Sequence, residues 1–255
     1  MNKSGIALSG GGARGAAHIG VLQALFENDI HLDNVSGTSA GSIVGALYCK
    51  GYEPLEILRI AKTPSFTRIF KIGLINRSFT QLSYLESFLE EHLKEDSFDA
   101  LKIPFHVCVS NINSGKFEII SEGKIIKYLM ASCAFPLLFN PITINGSTYI
   151  DGGLLNNLPI EPLLGKCNTI IGVSLCPHEH ISDFKGRRSI AIRCMQLGIW
   201  NTVQLRLAQC DISIEIEKAY SYGMFEIKKT DTLFEIGYET TMARIPEIKR
   251  ELMMK

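Results

Sequence analysis

The chain has 255 residues, 46% of them hydrophobic, and its 26 basic residues balance 26 acidic ones. This length suits one large domain with a sizeable core, and the zero net charge gives no global attraction to nucleic acid. The seven cysteines form no CxxC pair, which indicates reduced thiols and argues against a zinc site. No apolar run is long enough for a membrane span or a secretory signal, so we expect a cytoplasmic protein with at most peripheral membrane contact.

Strands and helices are predicted to alternate along the chain. Residues 5–29 contain a short strand, a glycine-rich turn and a helix, and residues 34–51 contain a second strand and helix. The later predicted elements are helices over 54–62 and 82–93, a strand and its hairpin partner over 103–121, a helix over 124–135, strands over 147–151 and 168–176, a helix over 189–210, a strand over 211–217 and a closing helix over 229–252. This alternation predicts a three-layer α/β domain with a mostly parallel central sheet.

The first glycine-rich turn, "SGGGARG", places Gly10, Gly12 and Gly15 in a GxGxxG pattern. Consecutive glycines let backbone N–H groups converge at a helix start, where they can bind a phosphate or stabilise an oxyanion. A dinucleotide site is the alternative, because Asp33 lies roughly 20 residues on, where a ribose-binding acid is expected. Asp33 precedes the second strand, however, and this position disfavours the dinucleotide interpretation.

The second turn, "GTSAG", holds Ser39 between Gly37 and Gly41. Small neighbours permit the tight strand-to-helix turn of a nucleophile elbow, which raises a serine hydroxyl above the edge of the sheet. The N–H after the serine and the dipole of the next helix can stabilise negative charge. A turn that needs glycine only for its backbone is the alternative, and the flanking strand, helix and glycine-rich turn favour the nucleophile.

The stretch "YIDGGLLNNLP" ends a predicted strand at Asp151 and continues with Gly152 and Gly153. Active sites of α/β proteins gather at strand ends, so an aspartate here could take the proton of Ser39. An ordinary Asp-Gly turn is one alternative. A second alternative is a triad with His178, in the Ser-Asp-His order of α/β-hydrolases. The position of the elbow after only the second strand favours a Ser39–Asp151 dyad with the glycine-rich turn as its oxyanion hole.

In this order, "GGGARG", "GTSAGS" and "DGG" resemble the motifs of the patatin-like phospholipase family. The segment "ASCAFPLLFNP" over 131–141 looks like that family's Pro/Phe turn, and 211–255 is similar to the closing strand and helix of its bacterial branch. The resemblance covers nearly the whole chain. It implies a three-layer α/β/α sandwich forming one acyl hydrolase domain over residues 1–255, with its core motifs within 5–160.

The resemblance also implies a chemistry and assigns roles to residues. Ser39 would be the nucleophile and Asp151 the base in hydrolysis of lipid carboxylic esters through an acyl-enzyme. The residues that match the family's oxyanion segment and glycine-rich turn are Gly10, Gly11, Gly12, Arg14 and Gly15. No metal or other cofactor is expected, because no dense carboxylate loop suggests calcium. A non-catalytic lipid-sensing or partner-binding protein on the same fold remains an alternative, because sequence does not show rate.

One segment has no counterpart among these motifs. Residues 64–79 mix large apolar side chains with arginine and lysine. This composition is compatible with a lid over the site, a peripheral membrane contact or a core helix with basic flanks.

Overall fold

The computed structural model describes residues 3–69, 78–136, 138–176, 180, 182–184 and 186–254. The strands are β1 (Ser4–Leu8), β2 (Asn34–Gly37), β3 (Phe105–Asn111), β4 (Lys116–Ile120), β5 (Ile142–Ile144), β6 (Ser147–Asp151), β7 (Thr169–Ser174) and β8 (Ile212–Glu215). The helices are α1 (Ala16–Glu27), α2 (Ala40–Lys50), α3 (Pro54–Ala61), α4 (Pro64–Ile69), α5 (Ser78–Leu93), α6 (Ile126–Ser132), α7 (Gly186–Leu207), α8 (Thr230–Met242) and α9 (Ile245–Met254).

The strands form one sheet in which successive members of the series β5-β6-β3-β2-β1-β7-β8 are hydrogen-bonded to each other and β4 is also paired to β3. Strands β3, β2, β1, β7 and β8 run parallel to one another. Strands β4, β5 and β6 are joined by antiparallel pairings. The predicted mostly parallel sheet is therefore confirmed: five of its eight described strands form a parallel half, and the other three form an antiparallel half, in which β5 was not predicted.

Helices cover both faces of the sheet. Along β1, Ile6 and Leu8 pack into one core with Leu22 of α1, whereas Ala7 packs into a second core with Val203 of α7. Successive side chains of a strand point to opposite faces, so α1 and α7 lie on opposite sides of the sheet. The predicted three-layer α/β/α architecture is confirmed.

Strands β2 and β6 meet end to end along one edge of β3. Val107 pairs with Gly37 of β2, and Val109 pairs with Asp151 of β6. Both valines pair with β4 on their other side, so β2 and β6 occupy the same edge. Because β2 is parallel and β6 antiparallel to β3, their carboxyl ends face each other across roughly 7 Å, the length of two strand residues.

Two predicted helices end earlier than expected. Helix α6 stops at Ser132, short of the predicted end at residue 135, and Pro136 disfavours a helical conformation in the residue before it. The single closing helix predicted over 229–252 is two helices, α8 and α9. Pro246 cannot donate a backbone hydrogen bond and its ring clashes with the preceding turn, so the first helix ends before it. No helix in the described part of the chain is long and apolar enough to cross a membrane.

Candidate active site

The turn between β2 and α2 has the geometry of a nucleophile elbow. Ser39 adopts φ 52° and ψ −124°, a left-handed conformation that costs a non-glycine residue about 1–3 kcal/mol. A Cβ atom at Gly37 would lie 2.6 Å from the Gly41 carbonyl oxygen, and one at Gly41 would collide with the Leu8 carbonyl oxygen. Both predicted elbow glycines are therefore required by close backbone approach.

Hydrogen bonds hold the backbone of Ser39 on both sides. Its carbonyl oxygen accepts from the N–H groups of Ser42 and Ile43, at 2.9 and 3.3 Å, and from the Ser42 hydroxyl at 2.6 Å. Its N–H donates to the hydroxyl oxygen of Ser132 at 2.9 Å. The preceding Thr38 hydroxyl donates to the Asn156 carbonyl oxygen at 3.1 Å. The strained turn is thus fixed by elements distant in sequence.

Asp151 ends β6 beside this elbow. Its carboxylate is buried, accepts the N–H of Gly153 at 2.8 Å and interacts with the hydroxyl of Ser39. Burial raises the pKa of Asp151 to about 7, although the Gly153 and Ser39 hydrogen bonds partly offset this effect. A Cβ atom at Gly152 would collide with the Cys108 carbonyl oxygen, so glycine allows the turn after Asp151 to pack against β3.

The glycine-rich turn follows β1 and lies against the elbow. Gly12 has φ 61°, and a Cβ atom there would lie 2.5 Å from the Met224 carbonyl oxygen. A Cβ atom at Gly15 would lie 2.7 Å from the Cβ of Ala40, so glycine lets the turn contact the start of α2. The buried Arg14 donates through Nε to the Gly11 carbonyl oxygen at 3.2 Å, which supports a role in orienting the turn.

The backbone N–H groups of this turn are not equivalent. The N–H of Gly10 donates to Oδ1 of Asn157 at 3.0 Å. No acceptor for the N–H groups of Gly11 and Gly12 is found in the described part of the chain. The latter two are therefore available to a ligand, whereas Gly10 supports the turn.

Asn157 joins the turns of the site, and the sequence analysis did not single it out. A Cβ atom at Gly10 would lie 2.6 Å from Asn157 Oδ1 and 3.0 Å from the Ser39 Cβ. A Cβ atom at Gly153 would lie 2.5 Å from the same amide oxygen and 3.0 Å from Asp151 Oδ1. The glycine-rich turn, Ser39 and the Asp151 turn therefore converge around one amide, within the "NNLP" segment that follows the Asp-Gly-Gly motif.

Ser39 and Asp151 lie on the walls of two adjoining cavities. The first, of about 570 Å³, is mainly apolar, with Ile43, Leu85 and Phe139 among its lining residues. The second, of about 420 Å³, contains polar side chains. The polar residues that line it beside Ser39 and Asp151 are Arg14, Asn157 and Gln196. The two reactive groups thus lie where an apolar cavity adjoins a second cavity that carries more polar side chains.

The alternative assignments receive little support from the geometry. The Asp33 carboxylate accepts the N–H of Ser4 at the start of β1, so it lies at the opposite end of that strand from the glycine-rich turn. A dinucleotide bound at the turn could not use it.

His18 donates through Nε2 to the Ser9 carbonyl oxygen, and burial lowers its pKa to about 4. His178 lies outside the described residues. No cluster of potential metal ligands occurs among the described residues.

Sequence comparison gives a matching family model and a set of relatives. The model described as "Patatin-like phospholipase" matches residues 6–164. Lysophospholipase NTE1 of Candida glabrata is 36% identical over 267 residues, which cover 91% of this chain and 15% of that protein. Lysophospholipase NTE1 of Eremothecium gossypii is 33% identical over 273 residues, covering 91% of this chain and 17% of that protein. The chain therefore spans less than one fifth of the curated relatives it matches.

Two solved structures share this fold at low sequence identity. VipD from Legionella pneumophila superimposes with a TM-score of 0.58 at 18% identity, covering 96% of this chain and 67% of that one. Human GIVD cytosolic phospholipase A2, in complex with methyl gamma-linolenyl fluorophosphonate, superimposes with a TM-score of 0.57 at 14% identity. That match covers 99% of this chain and 58% of the human protein. These two likenesses support the three-layer fold.

Proposed function

The chain belongs to the patatin-like phospholipase family, and we propose that it is a serine acyl hydrolase that cleaves carboxylic esters of lipids. The observation that supports this most is the convergence of Ser39 and Asp151 on one cavity wall. These residues are far apart in sequence, and the end-to-end arrangement of β2 and β6 brings them together. Family membership alone would not say whether this chain has a complete site.

In the first step, the hydroxyl oxygen of Ser39 attacks the ester carbonyl carbon while Asp151 takes the hydroxyl proton. The tetrahedral intermediate then expels the alcohol, which receives that proton, and the acyl group stays on Ser39. An unperturbed aspartate, with a pKa of about 3.9, is a weak base. Because burial raises the pKa of Asp151 to about 7, its basicity suits proton transfer near neutral pH.

In the second step, water attacks the acyl carbon while Asp151 takes a proton from the water. The bond from that carbon to the Ser39 oxygen then breaks, Ser39 receives the proton and the fatty acid is released. The N–H groups of Gly11 and Gly12 would donate to the oxyanion in both steps. Loss of a single such donor typically costs about 2.7–4 kcal/mol of transition-state stabilisation. Gly10 would act indirectly, because its N–H is bound to Asn157.

The two cavities suggest how the substrate lies. The apolar cavity beside Ile43 and Phe139 suits the acyl chain, and the second cavity, in which Asn157 and Gln196 offer polar groups, suits the alcohol portion. The relatives are named as lysophospholipases, so we propose a monoacyl glycerophospholipid as the first substrate to test. No cofactor takes part in this scheme.

The remaining expectations stay predictions. Residues 70–77 of the segment 64–79 lie outside the described residues. In α4, Phe66 and Ile69 are buried, and Phe66 packs against Phe88 of α5, so this part of the segment belongs to the core. Four expectations from the sequence are still untested: a peripheral membrane contact by the rest of the segment, a cytoplasmic location, the lack of a nucleic-acid partner and a single domain over 1–255.

The proposal is tested by labelling the protein with a fluorophosphonate probe and by measuring the fatty acid released from lysophosphatidylcholine micelles. We expect mass spectrometry to locate the probe on Ser39, and we expect Ser39→Ala to remove both labelling and release. A folded protein that neither reacts with the probe nor releases fatty acid would favour the non-catalytic alternative. Saturable binding of a nicotinamide dinucleotide would favour the dinucleotide alternative instead.

A further inference from the structure

The junction between β2 and β6 leaves one residue of β3 without a partner on that edge. Gly37 of β2 pairs with Val107, and Asp151 of β6 pairs with Val109, so Cys108 lies between the two strand ends. The hydroxyl of Ser132 donates to the Cys108 carbonyl oxygen at 2.7 Å. A side chain from α6 therefore fills the junction between the strand that precedes Ser39 and the strand that ends at Asp151.

The oxygen of the same hydroxyl also accepts a hydrogen bond from the backbone of Ser39, the proposed nucleophile. The N–H of Ser39 donates to the Ser132 oxygen at 2.9 Å, and the hydroxyl proton is already donated to Cys108. Ser132 is fully buried, so water cannot easily replace its bond to the Cys108 carbonyl oxygen. One hydroxyl thus links the elbow, β3 and α6 at the point where the two halves of the site meet.

The bonds on the two sides of Ser39 differ in redundancy. Its carbonyl oxygen has three donors, two from α2 backbone N–H groups and one from the Ser42 hydroxyl. Within the described residues, its N–H has one acceptor, Ser132. Loss of the Ser132 hydroxyl would remove the partner of the part-buried Ser39 N–H and of the buried Cys108 carbonyl oxygen, and a group left unpaired away from water is costly. Rotation of the strained Thr38–Ser39 peptide could give the Ser39 N–H another partner, and this rotation would move the Ser39 side chain.

We propose that Ser132 is a positioning residue for hydrolysis, whose hydroxyl fixes the Thr38–Ser39 peptide and so the approach of the Ser39 hydroxyl to Asp151. This inference rests on the proposed function. It predicts a defect in the chemical step and not in substrate binding, because Ser132 is not among the residues that line either cavity.

The chain offers a matched control. Ser42 is also a fully buried serine whose hydroxyl bonds to the Ser39 backbone, and Ser42→Ala leaves two donors on the same carbonyl. Displacement of a reacting group by about 1 Å can cost about 100-fold in rate. We therefore expect Ser132→Ala to lower kcat by about 10- to 100-fold with KM changed by less than about twofold. We expect Ser42→Ala to retain kcat within about threefold, because its bond is redundant.

Two further measurements distinguish positioning from a general loss of stability. The rate constant for fluorophosphonate labelling of Ser39 should fall in Ser132→Ala by the same factor as kcat. Ser132→Cys has a weaker donor and acceptor at the same place, so its kcat should lie between those of Ser132→Ala and the wild type. Thermal unfolding of all variants, measured at the assay pH, shows that each is folded under the assay conditions.

Equal kcat values for Ser132→Ala and Ser42→Ala would overturn the inference. So would a Ser132→Ala protein whose KM rises while its labelling rate stays at the wild-type value. If Ser132→Ala does not fold, a Ser132→Cys protein with the wild-type labelling rate would overturn it equally. If the wild-type protein does not react with the fluorophosphonate probe, the proposed function itself is contradicted. Failure of the proposed function can therefore be distinguished from failure of the inference about Ser132.

Discussion

The parallel half of the sheet and its antiparallel half contribute to the site in different ways. In the parallel half, β1 and β2 each lead into a glycine-containing turn and then a helix, and these two turns contain Gly11, Gly12 and Ser39. In the antiparallel half, Asp151 ends a hairpin strand, and its place depends on the pairing of β6 with β3. The first half is built by local turn geometry, and the second by long-range register.

This difference determines how each half can fail. A change at Gly37 or Gly41 would disturb the elbow directly, because the backbone is in close contact there. A one-residue slip of β6 would move Asp151 to the other face of the sheet without any change in its own turn. The site therefore depends on the residues that join the two halves, among which are Asn157 and Ser132.

Removing the nucleophile from the parallel half should have the largest effect. We expect Ser39→Ala to lower fatty acid release by roughly 10⁴-fold or more, as for removal of other serine nucleophiles. Release is measured from lysophosphatidylcholine at saturating concentration, and unfolding is measured in parallel. Activity retained within tenfold in pure Ser39→Ala would show that the parallel half does not supply the nucleophile.

Removing the base from the antiparallel half should lower the rate by the next largest factor. The same change should raise the stability of the fold at high pH. We expect Asp151→Asn to lower kcat by about 10³- to 10⁴-fold, because the amide cannot take the serine proton. Burial raises the pKa of Asp151 to about 7, so the folded protein binds this proton more tightly than the unfolded chain does. The stability that this proton provides is complete below about pH 4 and is lost as pH rises through about 7.

The stability part of that prediction is measured by thermal unfolding at pH 5 and pH 8. Asp151→Asn should melt at a higher temperature than the wild type at pH 8, and this gain should shrink at pH 5. A gain that is larger at pH 5 than at pH 8 would show that the buried carboxylate is not destabilising when ionised.

Asn157 tests the contact between the two halves. Asn157→Ala leaves the Gly10 N–H without its acceptor, so we expect the glycine-rich turn to loosen and kcat to fall by about tenfold, less than for loss of an oxyanion donor itself. Asn156→Ala is the matched control, because that buried side chain bonds to Glu161 and to the Leu158 N–H, away from the turn. Steady-state rates equal in the two variants would exclude this role for Asn157.

The smallest effect is expected at His178. Loss of a general base typically costs about 10²- to 10⁴-fold, and a dyad that uses Asp151 does not need a histidine. We expect His178→Ala to retain kcat/KM within about twofold. A loss as large as that of Asp151→Asn would instead support a triad.

The two halves also differ in how far the sequence could predict them. The elbow and the glycine-rich turn depend on small residues at fixed short spacings, so Ser39, Gly37 and Gly41 could be identified directly. The partner of Ser39 could be inferred only from the motif around Asp151, because strand register is a non-local property.

The residues that join the halves were not predicted for the same reason. Ser132 and Asn157 act through contacts with Ser39 and Gly10, to which no sequence spacing relates them. The raised pKa of Asp151 depends on burial that only the folded chain provides. The short strand β5 was missed because a three-residue strand has little periodicity. The break before Pro246 was predictable from the sequence, because a proline in a helix interior interrupts the helix.

The central claim is that the Asp151 carboxylate activates the Ser39 hydroxyl across the junction of the two strands. The most direct test is the rate constant of fluorophosphonate labelling at Ser39 from pH 5 to pH 9. For the wild type we predict a rise through about pH 7 to a plateau, because the ionised carboxylate is the active form. For Asp151→Asn we predict a slow rate that does not follow this titration. The same rates and the same pH profile in both proteins would contradict the account.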